Sequence, residues 1–396
     1  MIEELSKPEV VDFVLQHENE EPAKLILAQS KYKNIPVQLA AAQIQSRRKA
    51  KKKLPEWYSV QGVLFPHGVS LEQCSSELTA KYKASLIEGN TLVDLTGGTG
   101  IDTFYLSKSF QNTIYVEQNE ALCELAKHNF SALSASIQVE NCLSEELLEK
   151  QTVPIDWFYI DPARRDEHNK KVFRIDDCTP NILDIQEKIL GKSKGLLVKF
   201  APLLDIAEIT RNLSSISEIH VISVNNECKE LLIKMIGGYS GDISMHTINL
   251  QSNGQSQKFS YSLLNESLSD VSFSLPKRYL YEPNSSVLKA GAFKLVANQY
   301  NLDKLHVNSH LYTSEEKMAG FAGRVFEIIG IEALKKQSLS PYLPDGKANI
   351  TTRNFPLTVN QIRKKTGIKE GGEIYIFATT LVTGKSILVI CKKIYS

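Results

Sequence analysis

The segment from residue 92 to residue 102 leaves this chain few choices of fold. Leu92-Val93-Asp94-Leu95 is an apolar run carrying one acid, and it enters Thr96-Gly97-Gly98-Thr99-Gly100 before a mixed stretch that begins Ile101-Asp102. A strand that turns this tightly into a helix needs glycine, because the backbone takes positive φ or approaches a ligand closely. The N–H groups at such a turn have no partner within the helix and can meet a polar ligand.

The pattern around this turn extends it to a fold class. Short apolar strands are predicted at 91–95, 113–117, 136–140, 157–160, 195–200, 218–224 and 243–250. Helical periodicity falls between them at 120–133, 182–190, 205–213 and 229–235. Strands alternating with helices predict an α/β fold, a doubly wound, mostly parallel sheet of Rossmann-like type. Ligands in such sheets sit at the carboxyl ends of the strands, near the switch point.

Reading the loops after those strands collects one set of groups. Asp94 with Thr96, Gly97, Gly98 and Gly100 follows the first strand. Glu117 follows the second and can take two hydrogen bonds from a ribose diol. Asn141, between Glu140 and Cys142, follows the third and is placed for an adenine amino edge. Asp161-Pro162-Ala163-Arg164-Arg165 follows the fourth and Lys199 closes the fifth. The turn lacks the Lys-Ser/Thr ending of a P-loop. Gly98-Thr99-Gly100 could open a dinucleotide fingerprint, but Thr103 stands at its third glycine. An acid before the glycines suits a cationic ligand, and S-adenosylmethionine carries a sulfonium and an amino group without phosphate.

These residues resemble the motifs of class I S-adenosylmethionine-dependent methyltransferases. The stretch from Asp94 to Gly100 resembles their first motif, with Thr96 where glycine is commoner. Asp161-Pro162-Ala163-Arg164-Arg165 resembles their fourth motif, which lines the methyl-transfer pocket. With Glu72-Gln73-Cys74-Ser75-Ser76-Glu77 and the C-terminal region, the chain is similar to a bacterial group that carries ferredoxin-like and THUMP-like domains. The resemblance implies S-adenosylmethionine as cofactor. It also implies an RNA partner, tRNA or rRNA, because THUMP domains are RNA-binding modules.

The expected organisation is an N-terminal helical segment at 1–55, a methyltransferase domain at 56–265, a ferredoxin-like domain at 272–320 and a THUMP-like domain at 321–396. In the first segment Pro8, Pro22 and Pro36 fall near helix starts. Positions 71–83 read as one helix that Ser75 or Ser76 could cap. Near the C-terminal end, helices are expected at 285–300 and 359–366 and strands at 373–379 and 386–391.

Charge and cysteine usage narrow the partners. The net charge of +1 excludes a globally basic nucleic-acid binder. Two local runs remain. Positions 47–53 hold six cations in seven residues, either a solvated helix end or a phosphate-contacting patch. Arg353, Arg363, Lys364, Lys365 and Lys369 form a second basic set. Six scattered cysteines with no C-x-x-C fit reduced thiols. No signal-peptide pattern and no run of membrane-spanning length is present, so a cytoplasmic protein with no membrane partner is expected. His306 and His310 have no third ligand at helix spacing, so no metal is expected. The oligomeric state is left open.

Asp161, Arg164 and Lys199 are the candidate catalytic residues. Asp161 would orient the hydrogens of an acceptor nitrogen, or else only shape the loop at Pro162. Arg164 and Arg165 could hold a phosphate or stack on a base, or else pair with nearby acids. Lys199 could face the same pocket, or else bridge to Asp161. Tyr58, Phe65 and His67 could cover the cofactor, or else be buried against the sheet. The expected activity is methylation of a nucleotide in RNA. The alternatives are methylation of a small molecule or a protein, and a non-catalytic RNA-binding protein on a methyltransferase scaffold.

Overall fold

The computed structural model describes residues 1–66, 68–150, 155–164 and 174–394, with backbone alone at Val69, Ser70 and Arg164. The chain divides into two compact units, Met1–Ile216 with Leu232–Ser240, and Ser217–Leu231 with Gly241–Ser396.

In the first unit lie β1 (Gly89–Asp94), β2 (Phe110–Val116), β3 (Gln138–Glu140), β4 (Ile155–Ile160), the two-residue β5 (Ala163–Arg164) and β6 (Cys178–Thr179), and β7 (Ser193–Phe200). The sheet runs in the order β7-β4-β1-β2-β3. All four of these pairings are parallel, as the alternating pattern predicts. The chain builds outward from β1 to β3, then returns to the far side of β1 with β4. The switch point therefore lies between β1 and β4, the place where open α/β sheets bind their ligands. Leu92 and Val93 of β1 are wholly buried, which explains their continuous apolar run. The helices Glu120–Ala132, Ile182–Leu190 and Ile206–Asn212 start at Asn119, Asn181 and Asp205, whose side chains accept from backbone N–H groups of the first turn.

The N-terminal helices Pro8–Gln16, Pro22–Leu27 and Val37–Lys53 begin at or just after the three prolines. Val10, Phe13, Leu25 and Ile44 cluster there with Leu64 and Leu125. Positions 71–83 are broken into Val69–Gln73 and Glu77–Ala84. Ser76 caps the second piece, accepting from Thr79 N at 3.3 Å. The basic run is largely committed to its own chain. Arg47 is buried and donates to Tyr58 O at 3.1 Å, and Arg48 donates to Glu18 O and Glu20 O. Lys49 pairs with Glu72 at 2.6 Å, and Lys53 donates to Leu71 O and Glu72 O. A free phosphate-contacting face is thus not what most of this run provides.

In the second unit, β8 (Ile216–Val224, from Ser217), β9 (Glu227–Ile236, as far as Leu231), β10 (Ser244–Leu250) and β11 (Ser256–Ser262) lie in the order β11-β10-β8-β9. β10 is parallel to β8 and antiparallel to β11. The helix expected at 229–235 is instead a strand. Asn225 and Asn226, at φ 49° and 66°, make the tight two-residue turn that sends it back beside β8. Leu231, Leu232 and Ile233 are all fully buried. A run without alternation reads equally as helix or as buried strand.

The rest of this unit is one seven-stranded sheet. It contains β12 (Tyr279–Pro283), β13 (Asp303–Lys304), β14 (Tyr312–Ser314), β15 (Gly323–Glu332), β16 (Asn349–Arg353), β17 (Ile374–Thr380) and β18 (Ser386–Ile394). Their order is β13-β14-β12-β15-β18-β17-β16. β12 pairs directly with β15, Leu280 opposite Phe326, so the segments expected as two small domains share one sheet. Their side chains share one core, Leu280, Leu305 and Leu311 with Phe326, Phe377 and Val389. The helix expected at 285–300 is split by Gly291, at φ 77°, into Ser285–Ala290 and Leu295–Gln299. Val359–Thr366 is a helix as expected, with a Thr358/Gln361 capping box.

Candidate active site

The carboxyl ends of β1 and β4 carry Asp94 and Asp161, on either side of the switch point. Asp94 is 1% exposed, and both its oxygens are occupied. Oδ1 accepts from Thr96 N at 3.0 Å and Oδ2 from Thr103 Oγ1 at 2.5 Å. The acid therefore shapes the turn from beneath. Burial pushes its carboxyl up to about 7, against hydrogen bonds from Thr103 and Thr96 that favour the ionised form.

The glycines are required by what surrounds them. A Cβ on Gly97 would lie 2.2 Å from the Tyr115 ring. That ring is fully buried and its hydroxyl donates to Gly98 O at 2.6 Å, so it cannot yield. Gly100 has φ 79° and faces Phe130. Beside this turn, Glu117 spans two backbone donors. Its Oε2 accepts from Gly98 N at 3.0 Å and its Oε1 from Asn119 N at 2.9 Å. Asn141 donates to Glu117 O at 2.9 Å and Gln118 O at 3.1 Å. The loops after β1, β2 and β3 thus meet at Glu117.

Thr96, where glycine is commoner in the resembling motif, has a visible task. Its Oγ1 accepts from Asp161 N at 2.6 Å, fixing the loop after β4 to the turn after β1. Lys199, at the end of β7, pairs with Asp161 Oδ2. The salt bridge weighed for Lys199 is therefore formed, and Asp161 keeps 37% of its side chain exposed. Arg164 is in β5, opposite Cys178 of β6, while Arg165 and His67 lie outside the described residues. Phe65 is buried, and Tyr58 lies against the guanidinium of Arg47, 4.9 Å from its ring centroid. Neither is an open stacking surface.

Sequence reasoning missed the buried half of the site. Asp102, in the first turn after the glycines, pairs with Lys83 at 3.0 Å, and Lys83 is fully buried. Asp102 Oδ2 also accepts from Ser75 Oγ and Tyr159 OH, each at 2.8 Å, and lies 3.9 Å from Lys199 Nζ. Burial pushes the Asp102 carboxyl up, but Lys83 and Lys199 outweigh it and hold it below the ordinary range. The result is an alternating row, Lys83, Asp102, Lys199, Asp161, in which each buried charge has an opposite neighbour. The one sequence signal was Ser75, which faces Asp102 while Ser76 does the capping.

Of the second basic set, Arg353 is committed. It and Arg324 both bond the buried Glu282. Arg363 donates to Ile368 O and Ala348 O. Lys364, Lys365 and Lys369 are exposed. His306 and His310 are not on a helix; His310, at φ 50°, stacks on Phe293.

Comparison with known proteins agrees with this architecture. Residues 279–321 match the family model of a ferredoxin-like domain, and residues 323–393 match a THUMP domain-like family. No curated protein matches the chain in sequence. The crystal structure of a candidate methyltransferase from Porphyromonas gingivalis W83 superposes with a TM-score of 0.87, at 31% identity over 98% of both chains. An rRNA methylase from Streptococcus thermophilus has a TM-score of 0.31 at 16% identity, covering 40% of this chain and 94% of its own. TrmK of M. capricolum with S-adenosyl-homocysteine has 0.32 at 15%, covering 42% and 70%. The last two are distant, and only the first bears on this chain. With the parallel sheet, the glycine turn at its switch point and both C-terminal domains in place along 98% of that relative, the chain belongs to the class I, S-adenosylmethionine-dependent methyltransferase family that carries ferredoxin-like and THUMP-like domains.

Proposed function

We propose that this enzyme transfers a methyl group from S-adenosylmethionine to a nucleotide of RNA. The observation that carries the RNA half is a segregation of charge. Within residues 323–393 there are twelve Lys and Arg against five Asp and Glu, in a chain whose net charge is +1. A THUMP-like domain with that excess, and with Lys364, Lys365 and Lys369 exposed, suits a polyanion.

The donor set suits the cofactor. Glu117 and Asp161 flank the glycine turn and Asp94 lies buried beneath it, an acidic surrounding that favours a cationic ligand over a phosphate. S-adenosylmethionine, when bound, supplies an electrophilic methyl group on a sulfonium. Glu117 would hold the ribose hydroxyls, the glycine turn would admit the ligand at close range, and Asn141 would lie by the adenine. Asp94, poised near neutrality, would be drawn to its ionised form by the nearby positive charge.

Two measurements test the two halves. By titration calorimetry the parent chain binds S-adenosylmethionine, and Glu117→Gln weakens it about tenfold or more, the loss of one charged acceptor. No binding by the parent rejects the cofactor assignment. For RNA, filter binding is read against salt. Lys364→Glu, Lys365→Glu and Lys369→Glu together lower the slope of log K against log salt by about 2 if the three lysines meet single-strand phosphates. An unchanged slope removes this face from the RNA site. Nucleoside mass spectrometry of RNA from cells with and without the protein then identifies the product.

A further inference from the structure

We propose that Glu218, His220 and His246 form a zinc-binding site in the second unit, separate from the methyl-transfer chemistry. Glu218 and His220 are two residues apart on β8, so they share one face of the sheet. β10 runs parallel beside β8 with His246 directly opposite His220. All three side chains therefore rise from the same patch of sheet. The sequence expectation of no metal rested on helix spacing around His306 and His310, and strand pairing between residues 220 and 246 could not be seen there.

The distances are those of a ligand set. Glu218 Oε2 lies 3.0 Å from His220 Nε2 and 3.7 Å from His246 Nε2. The three ligand atoms all fall within 4.8 Å of one another. Metal–ligand bonds of about 2.0–2.2 Å in a tetrahedron place ligand atoms roughly 3.4 Å apart. The two imidazoles stack with centroids 4.6 Å apart and planes 20° from parallel. Their lone pairs converge on one ion when the His246 ring turns about its Cβ–Cγ bond, a soft torsion. His246 has room for this, its side chain being 31% exposed.

A supporting contact bears on the same ring. His246 Nδ1 is 2.8 Å from Ser260 Oγ, its opposite residue on β11. Engaging Nδ1 turns Nε2 toward Glu218, the arrangement by which protein partners orient a metal-bound histidine. His220 is buried, whereas Glu218 and His246 are partly open, so water can complete a fourth position. Two neutral imidazoles and one carboxylate match Zn²⁺, and the same donors would take Cu²⁺ or Ni²⁺.

The test is equilibrium dialysis of the full chain, stripped with chelator, against ZnCl₂. The expected result is one Zn²⁺ per chain with micromolar or tighter affinity. His246→Ala and the near-isosteric Glu218→Gln each weaken binding about 100-fold, and Ser260→Ala about tenfold. Circular dichroism confirms that the variants are folded, and Glu218→Gln carries the test if His246→Ala is not. Absence of stoichiometric Zn²⁺ in the parent, or equal affinity in a folded Glu218→Gln chain, overturns the site. In that case the three side chains form only a hydrogen-bonded ladder on the sheet.

Discussion

Lys83→Met is expected to lower the unfolding free energy by about 3–5 kcal/mol, the cost of leaving a buried carboxylate without its nearest cation. Lys83 is 0% exposed and 3.0 Å from Asp102, whose own side chain is 11% exposed. Methionine matches the length of the lysine stem, so packing changes little while the charge disappears. Lys199, at 3.9 Å, remains and compensates only in part. The pH dependence supplies a second readout. Asp102 is held below its ordinary range in the folded chain. Its stabilising contribution is therefore present above the unfolded value near pH 4 and is lost as pH falls through the lower, folded value. Without Lys83 the difference in stability between neutral and acid pH shrinks. Urea unfolding at both pH values measures both effects. Adding Asp102→Asn to Lys83→Met should cost less than the two changes summed, by about 0.5–3 kcal/mol. A loss below about 1 kcal/mol for Lys83→Met, or strict additivity, would show that the pair does not act as a buried unit.

That pair also marks the boundary of what could be read from the chain. The parallel sheet was legible because short apolar runs alternate with helical stretches, three of which open at a side-chain cap, Asn119, Asn181 and Asp205. The switch point was legible because the glycines and the acids follow strands. Thr96 was visible as a departure from the resembling motif. Its bond to Asp161 was not, because it joins loops 65 residues apart in sequence. Lys83 and Asp102 lie on two different helices, and nothing in either local pattern marks a lysine as buried. The strand at Glu227–Ile236 was misread for the opposite reason. A run buried on both faces loses the alternation that identifies a strand. Arg353 and the run at 47–53 were visible as charge, but charge alone does not reveal an internal carboxylate or carbonyl waiting for it.

The exposed end of the same charged row is where a part for Asp161 in methyl transfer can be tested. On the proposed substrate, RNA from cells lacking the protein, Asp161→Asn is expected to lower kcat by about 100-fold, while the affinity for S-adenosylmethionine changes little. Asp161 is held from two sides, by Thr96 Oγ1 at its N–H and by Lys199 at its carboxylate. Its side chain stays 37% exposed at the carboxyl end of β4, beside the switch point, where an acceptor nitrogen could present its hydrogens. Asparagine keeps the shape and loses the charge, and Asp102 still shields Lys199, so the fold is retained. Thr96→Ala tests the positioning separately. It removes the hydroxyl that anchors Asp161 and should lower kcat by a smaller factor, about tenfold. If Asp161 only shaped the loop at Pro162, asparagine would serve as well as aspartate, and Asp161→Asn would leave kcat unchanged. If it chiefly held the cofactor, the loss would fall on S-adenosylmethionine affinity instead. A fall in kcat with cofactor affinity intact is the outcome that assigns Asp161 to the acceptor.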